Sequence, residues 1–422
     1  MPPSRDAPVE TIRPGDLTQK IANLRAAQRR LVTRPRAQIV GLLSDVVEGW
    51  LGADSTWFAR AEALLPNATG FSPQMIRAAL PTMLAPLRAP ALADLLAAEV
   101  GERRGPGLIA HILPGNLPGL AAIPTALSLA IGSSALLKAG GGDRVFPALF
   151  AASIAERDAE LGACVAACYW PGGDRTHEDI VLAAVDLVVA SGDDATISAL
   201  VARSRARFIG HGHRVSFAVV AAEVAADPAA AEHAAAQLAN DVALWDQRGC
   251  LSPQLCFVEG NLHTARRFGE LVAAALAPLA QRLPAARPTA EECLAVRRFR
   301  DEAEWSSLAG GGGALLALEG EANGTVVVEP VPQFRPTPLC RSLRVMPVVY
   351  IDALAALLAP VRPVLEAAGV AAHPSRWATM ATALTVSGVH RVCELGSMQH
   401  PPLAWRQGGR PRVGDWVDPA GT

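Results

Sequence analysis

The amino-acid sequence predicts an α/β protein built on parallel sheets, with a helical region at its start. Residues 1–100 carry helical apolar patterns separated by proline-containing breaks, as in 17–31, 36–51 and 73–87. From about residue 105, short apolar runs alternate with Gly-rich and Pro-rich loops and with helix-like segments, an order typical of a parallel sheet. A hydrophobic share of 50% with a net charge of -2 indicates a globular chain, and 422 residues allow two or three domains.

Six strands are predicted in the first part of this α/β region. They span residues 107–113, 135–138, 164–170, 186–190, 207–210 and 215–220. The first four are each followed by a loop that carries Gly, Pro or Asp. Because the carboxyl ends of parallel strands meet at the edge where open sheets bind ligands, these loops predict a ligand site.

A second region follows a predicted helix over 228–244. It mixes strands with helices, and the final residues are rich in Gly, Pro and Arg. The predicted strands are 255–258, 324–329 and 344–351, and the predicted helices are 263–283 and 351–368. We therefore predict three parts: residues 1–244, residues 245–400 and an irregular tail over 401–422.

Composition and spacing exclude several classes of protein. The nearly balanced charge argues against a nucleic-acid partner, which calls for a clustered positive surplus. The most apolar stretch, 117–137, is broken by prolines and a Gly-Ser-Ser turn, so we expect no stable membrane insertion. The first residues have no apolar signal core, and the seven cysteines have no disulfide or metal-ligand spacing. Cys164 and Cys168 are expected to fill a buried strand, in a cytoplasmic protein without a metal site.

Cys250 is the sharpest candidate for chemistry. It follows Gly249, which lets the backbone approach a ligand, and it lies in a polar stretch just past a helix. A structural cysteine more often lies inside an apolar run, as Cys256 does. Taken by itself, Cys250 is a possible nucleophile or an ordinary loop residue.

Seven segments, in order along the chain, give this cysteine a context. They are 114–118, 136–138, 189–192, 211–217, 246–254 (Asp-Gln-Arg-Gly-Cys-Leu-Ser-Pro-Gln), 388–391 and 401–405 (Pro-Pro-Leu-Ala-Trp). Together they resemble the aldehyde dehydrogenase superfamily and, within it, the acyl-CoA reductases of the LuxC type. The resemblance implies two Rossmann-like, doubly wound parallel-sheet domains behind an N-terminal helical region. Residues 1–244 would include the NAD(P)-binding domain, and 245–400 would form the catalytic domain.

The resemblance also implies catalytic roles. The thiolate of Cys250 would attack an acyl thioester, and Asn116 with the backbone N–H of the nucleophile would hold the oxyanion. Read from the sequence alone, Asn116 is also a plausible turn residue. His211 or His213 would protonate the aldehyde oxygen, although a histidine in a Gly-rich turn is equally well a polar loop residue.

Cofactor positions follow from the same comparison. Lys138, one of only two lysines in the chain, matches the lysine that contacts the adenosine ribose. Three positions later Gly141 replaces the acidic residue of NAD-preferring relatives, which favours NADPH and leaves NADH possible. Ser191 and Gly192 match the loop that approaches the pyrophosphate. Gly172 and Gly173 lie in another strand-end loop near the expected adenosine site.

Two departures from the superfamily pattern shape the functional prediction. Where hydrolytic relatives carry a glutamate base, this sequence has Gly-His-Gly-His at 210–213. Without that base, water is poorly activated and the acyl-enzyme survives. The glutamate that holds the nicotinamide ribose is also absent from the corresponding segment 339–343, and Glu329 is a candidate substitute.

The sequence therefore predicts NADPH-dependent reduction of an acyl-CoA or acyl-carrier thioester, with a fatty acyl chain expected, to an aldehyde. The alternatives are a CoA-acylating aldehyde dehydrogenase that works oxidatively, a reductase of acyl phosphates, or a non-catalytic subunit. Asn116, Lys138 and Cys250 in one chain argue against the non-catalytic subunit. As in the superfamily, we expect a homo-oligomer.

Overall fold

Two sheets carry the fold, one in each of two units. The computed structural model describes residues 9–310, 312–318, 320 and 322–417. The first unit holds the described residues up to His213 and from Pro402 onward, and the second holds Arg214–Pro401. The first eight residues of the predicted first part and the last five of the predicted tail lie outside the described residues.

The first unit contains a five-stranded parallel sheet in the order β3-β2-β1-β4-β5, which matches five of the six strands in the doubly wound order 3-2-1-4-5-6. Its strands are β1 (Leu108–Ile112), β2 (Ser134–Lys138), β3 (Val165–Cys168), β4 (Leu187–Ser191) and β5 (Arg207–His211). Its helices are α1 (Pro14–Leu31), α2 (Arg36–Leu51), α3 (Thr56–Thr69), α4 (Pro73–Leu84), α5 (Ala89–Glu99), α6 (Ala122–Ala130), α7 (Phe146–Arg157), α8 (Ala159–Gly162), α9 (Arg175–Ala184) and α10 (Asp194–Val201).

The spacing of apolar residues explains how α1 joins this sheet. Leu17, Ile21 and Leu24 recur at helical intervals on one face of the helix, and all three are buried. They share a hydrophobic cluster with Leu108 of β1 and Leu136 of β2. The helix α1 is therefore packed on the sheet through an apolar face.

The described part of the C-terminal segment contacts the first unit, to which it belongs. The carboxylate of Glu99 accepts backbone N–H bonds from Arg412, Val413 and Gly414 at 2.8–3.1 Å. Trp416 lies 5.2 Å, ring to ring, from the buried His111, whose pKa burial lowers to about 3. A neutral histidine under an aromatic ring fits an apolar contact between the tail and β1.

The second unit contains a seven-stranded sheet in the order β12-β11-β6-β7-β10-β9-β8, in which only β8 runs antiparallel to its neighbour. Its strands are β6 (Val215–Val220), β7 (Pro253–Glu259), β8 (Ala314–Ala317), β9 (Thr325–Val328), β10 (Ser342–Val348), β11 (Leu365–Ala371) and β12 (Arg391–Glu394). Its helices are α11 (Ala222–Ala226), α12 (Pro228–Ala243), α13 (Leu262–Arg282), α14 (Ala290–Leu308), α15 (Leu354–Leu358) and α16 (Pro374–Val386).

Two sequence predictions are corrected in this unit. The helix predicted over 351–368 is wrong: short helical turns and α15 end at residue 364, and β11 begins at Leu365. Pro360 and Pro363 lack the N–H that a continuous helix requires. In addition, the strand at 215–220 pairs with β7 and β11 of the second sheet and not with the first sheet.

The division between the units also differs from the predicted boundaries. The helix α12 packs against α13 and belongs to the second unit, which starts at Arg214 and not at residue 245. Cys164 and Cys168 are buried free thiols, as expected. Within the described ranges, no helix is long and apolar enough to cross a membrane, and no cluster of His, Cys, Asp and Glu is arranged to hold a metal ion.

Candidate active site and cofactor cradle

The loops after β1 and β2 touch each other through glycines. A Cβ atom on Gly115, whose φ is +75°, would lie 2.9 Å from the Cα of Gly140. A Cβ on Gly140 would lie 2.5 Å from the Cα of Gly115, and one on Gly142 would lie 2.4 Å from the Gly115 carbonyl oxygen. The two loops therefore form a close backbone contact that no larger residue would permit. Asn116, exposed on the first loop, directly follows this contact.

Asp143 fixes the end of the second loop. Its Oδ1 accepts the backbone N–H groups of Val145 at 3.2 Å and Phe146 at 2.9 Å, where α7 begins. The side chain is almost fully buried, and burial raises its pKa to about 6. Sequence reasoning missed this residue, which was read as a loop residue beside the glycines.

Lys138 is the last residue of β2 and is only 9% exposed. Burial lowers the pKa of its ammonium, and the nearby carboxylate of Glu178 opposes this shift. The Nζ atom lies 5.7 Å from the ring centroid of Tyr169, which follows β3. The lysine thus points toward the strand-end edge at which the cofactor was expected.

The other predicted cofactor loops lie at the same edge. Gly173, with a φ of +80°, donates its N–H to Glu178 at 3.0 Å, and a Cβ on either Gly172 or Gly173 would meet open space. Ser191 ends β4, and the N–H of Gly192 donates to the carbonyl oxygen of His211 at 3.2 Å.

The start of α10 is more acidic than a pyrophosphate site would favour. Asp193 caps the helix by accepting the N–H of Thr196 at 2.7 Å, and Asp194 accepts the N–H of His213 at 3.0 Å. Negative side chains at a helix N-terminus occupy the position where an anion would bind. The pyrophosphate role of Ser191 and Gly192 stays a prediction, as do the acid roles of the half-buried His211 and the exposed His213.

Cys250 is half-buried and lies just before β7 in the second unit. Its carbonyl oxygen accepts the hydroxyl of Ser216 at 2.7 Å, and a turn from Gly249 to Ser252 carries it into the strand. Arg248, the cation beside it in sequence, pairs with Glu292 of α14 at 3.3 Å. Cys256, by contrast, is fully buried inside β7, and burial raises the pKa of its thiol far above the usual range.

Two runs of left-handed backbone precede β7 and β10. Trp245, Asp246 and Gln247 have φ values of +50° to +61°, and residues 339–341 have φ values of +52° to +65°. None of the six is glycine, so each residue costs on the order of 1 kcal/mol of local strain. Such strain persists only where the surroundings fix the conformation.

Buried polar contacts hold these two left-handed runs in place. The carboxylate of Asp246 meets the guanidinium of Arg341 at 2.7 Å, and it also accepts the N–H of Ala286 at 2.9 Å. The amide of Gln247 donates to the carbonyl oxygens of Pro253 and Ser342, both at 2.8 Å, and accepts the N–H of Ser342 at 2.7 Å. We call Asp246, Gln247 and Arg341 the buried clamp. It holds the segment that leads into Cys250.

The clamp changes the interpretation of segment 339–343. Spacing assigned this segment to the nicotinamide ribose and found no glutamate in it; in the structure, Arg341 of this segment instead pairs with Asp246 and holds the segment that leads into Cys250. The suggested substitute, Glu329, follows the carboxyl end of β9, whereas Cys250 precedes the amino end of β7 in the same parallel array. Glu329 is also engaged by Arg335 and Arg344, so it does not serve as the substitute beside Cys250.

The family described as acyl-CoA reductase (LuxC) matches residues 32–409. Three similar solved structures show the fold. The first is aldehyde dehydrogenase 21 from Physcomitrella patens with succinate, at 14% identity and a TM-score of 0.76, over 97% of this chain and 90% of that chain. The second is a mutant aldehyde dehydrogenase C from Pseudomonas syringae with NAD+ and octanal, at 16% identity and a TM-score of 0.73, over 97% of this chain and 88% of that chain. The third is Δ-pyrroline-5-carboxylate dehydrogenase from Mycobacterium tuberculosis with NAD and cobalamin, at 14% identity and a TM-score of 0.70, over 97% of this chain and 82% of that chain. A comparison with curated proteins found no match.

Proposed function

We propose, from the premise that this chain belongs to the acyl-CoA reductase (LuxC) family, that it reduces an acyl thioester to the free aldehyde with NADPH. The expected substrate is an acyl-CoA or acyl-carrier thioester with a fatty acyl chain. Membership makes the chain an oxidoreductase of the aldehyde dehydrogenase fold. The observation that carries the proposal is the half-buried Cys250 at the end of a segment fixed by the buried clamp.

The first unit offers a surface that fits a nicotinamide nucleotide. The loops at Gly115 and Gly140 expose backbone without side chains, which allows close approach of a ribose or phosphate. Lys138 places a buried ammonium at the adjacent strand end. When bound, the reduced nicotinamide would supply the hydride of the reaction.

The residues of this chain would perform the acyl transfer and the proton steps. The Cys250 thiolate attacks the thioester carbonyl; a carbon–sulfur bond to the enzyme forms, and the bond to CoA breaks as its thiol leaves. The amide of Asn116 and the backbone N–H of Cys250 would stabilise the oxyanion. After reduction to a thiohemiacetal on Cys250, breakage of its carbon–sulfur bond frees the aldehyde. His211 or His213 would exchange the proton with the aldehyde oxygen.

The missing glutamate base supports reduction over hydrolysis. In the stretch 210–213 there is no carboxylate side chain to activate water. An acyl-enzyme on Cys250 would then persist long enough to be reduced, or to return to a thiol.

The experiment follows NADPH absorbance and aldehyde formation with a panel of acyl-CoA thioesters of different chain length. We expect turnover and, without NADPH, a Cys250-linked acyl group detected by mass spectrometry. Cys250→Ser should lower turnover by roughly 10³-fold or more, because loss of a nucleophile removes the acyl-enzyme route. Cys293→Ser, at a half-buried cysteine on α14, is the matched control and should leave turnover unchanged. If no thioester reacts and Cys250 is never acylated, the proposal is wrong.

A further inference from the structure

The turn that carries Cys250 is held by hydrogen bonds on both sides of this residue. Before it, the carbonyl oxygen of Gly249 accepts the N–H of Ser252 at 3.1 Å. After it, the carbonyl oxygen of Cys250 accepts the hydroxyl of Ser216 at 2.7 Å, and the same hydroxyl oxygen accepts the N–H of Ala367 at 3.1 Å. The two peptide groups that flank the Cys250 side chain are therefore both fixed by neighbours.

The first of these contacts also sets the direction of the Cys250 N–H. In a planar trans peptide, the C=O of one residue and the N–H of the next point in opposite directions. The Gly249 carbonyl that accepts the Ser252 N–H shares its peptide plane with the Cys250 N–H. An oxyanion donor is effective only when it is aimed at the position that the oxyanion will occupy. Whatever fixes Ser252 therefore fixes the aim of this donor.

The side chain of Ser252 is held by Gln399. The Nε2 of Gln399 donates to the Ser252 hydroxyl oxygen at 3.1 Å and to the carbonyl oxygen of Asp241 at 3.3 Å, as its two N–H bonds allow. All three residues are at least nine-tenths buried. Water does not compete for these bonds, so loss of one partner would leave a buried polar group unpaired.

The loop that bears Gln399 is anchored on α12. The carboxylate of Asp241, near the end of this helix, accepts the N–H of Gly396 at 2.6 Å and the N–H of Met398 at 3.2 Å. Together with the Gln399 contact, one residue of α12 binds this loop at three points. The helix that leads toward Cys250 therefore also holds the loop that contacts the turn on its far side.

We propose that Gln399 and Ser252 are positioning residues that aim the backbone N–H of Cys250 at the oxyanion formed during acyl transfer. The inference rests on the proposed function, in which that N–H stabilises the oxyanion. Both residues act through the carbonyl group of Gly249 and not on the substrate. Gln399 lies outside the seven segments on which the sequence resemblance rests.

The test compares two reactions of the Cys250 thiolate in the full chain without NADPH. Acylation by an acyl-CoA thioester passes through an oxyanion, whereas alkylation by iodoacetamide forms a carbon–sulfur bond as iodide leaves and needs no oxyanion donor. The acyl-CoA used is the one that acylates the wild type fastest in the chain-length panel. Mass spectrometry of the Cys250 peptide over time gives both rates.

Gln399→Met keeps the length of the side chain but cannot donate to Ser252. We expect acylation to slow at least about tenfold, since removal of a whole oxyanion donor costs roughly 10²-fold to 10³-fold and this change misdirects one. Alkylation should change less than about twofold. Gln281→Met, at an exposed glutamine on α13, is the matched control and should keep both wild-type rates.

A second variant tests whether the two residues act in one chain of contacts. Ser252→Ala removes the hydroxyl that Gln399 holds, and it should slow acylation by a similar factor and spare alkylation. The double variant should be no slower than the slower single variant, because both changes break the same link. If Gln399→Met does not fold, the acylation and alkylation rates of Ser252→Ala decide the question.

The outcomes separate this inference from the proposed function. Equal slowing of acylation and alkylation would show a general loosening of the turn and would overturn the positioning role, as would a wild-type acylation rate in a folded variant. Both of these results leave the reductase proposal intact. If the wild type itself is never acylated at Cys250, the proposed function fails and the positioning role fails with it.

Discussion

The two sheets carry their candidate chemistry at opposite ends of their strands. In the first sheet, Lys138 and Ser191 end β2 and β4, so the predicted cofactor residues lie at the carboxyl edge. In the second sheet, Cys250 and the two left-handed runs precede β7 and β10, at the amino edge. The rule that open parallel sheets bind ligands at the carboxyl edge therefore predicts the first region and not the second.

The two edges are also built in different ways. The first edge depends on missing side chains: glycines bring two loops into backbone contact and leave a surface that a nucleotide can approach. The second depends on buried side chains, because the buried clamp fixes the six strained residues of the two left-handed runs, the first of which leads into Cys250. A flexible cofactor needs space along the main chain, whereas a reacting sulfur needs a single fixed position.

The largest effect should come from breaking the buried clamp. Arg341→Met leaves the Asp246 carboxylate buried without its partner, which should cost about 4 kcal/mol or more of unfolding free energy. Denaturant unfolding measures this loss. Arg335→Met, at a half-exposed arginine of the same unit, should cost less than about 1 kcal/mol. Equal losses for the two variants would show that the buried clamp is not what fixes the segment that leads into Cys250.

A somewhat smaller effect tests the glycine contact. Gly115→Ala places a Cβ at a positive φ and within 2.9 Å of the Gly140 Cα, so we expect a loss of about 3 kcal/mol and weaker binding of adenosine nucleotides. Gly41→Ala, on α2 and outside the predicted cofactor loops, is the matched control, because its Cβ would meet open space and its φ is not positive. A Gly115→Ala variant with wild-type stability and affinity would contradict the role of backbone contact at this edge.

The smallest expected effect is on the pH dependence of stability, and it tests Asp143 at the edge of the first sheet. The pKa of Asp143 is raised to about 6 in the folded chain, so between about pH 4 and 6 the folded state holds a proton that the unfolded state has released. Stability should therefore fall as the pH rises through this window, by no more than about 3 kcal/mol, and then level off. Asp143→Asn can keep both bonds to α7 through its amide oxygen and should lose this part of the pH dependence. Identical pH curves for the two proteins would refute this assignment.

The sequence by itself determined the class of fold, most strands and the nucleophile candidate. Strands β1 to β5 lie within two residues of their predicted positions, because a buried strand between Gly-rich loops is a local pattern. Cys250 was singled out as a candidate because a polar segment after a glycine is also a local feature, and the resemblance to the acyl-CoA reductases gave that candidate its proposed role. The cofactor candidates at Lys138, Gly172 and Ser191 came from the resemblance to the aldehyde dehydrogenase superfamily; the strand patterns by themselves placed them only at strand ends.

Only the tertiary structure decided which sheet each strand joins and what holds the segment that leads into Cys250. The strand at 215–220 is compatible with either sheet until its neighbours are known. The strand β11 was predicted as helix because its short apolar run has no periodicity that distinguishes a strand from a buried helix. The left-handed runs at 245–247 and 339–341 contain no glycine, so the sequence does not indicate their conformation. Their conformation is imposed by contacts such as that between Asp246 and Arg341, 95 residues apart, and contacts over that separation leave no local pattern in a sequence.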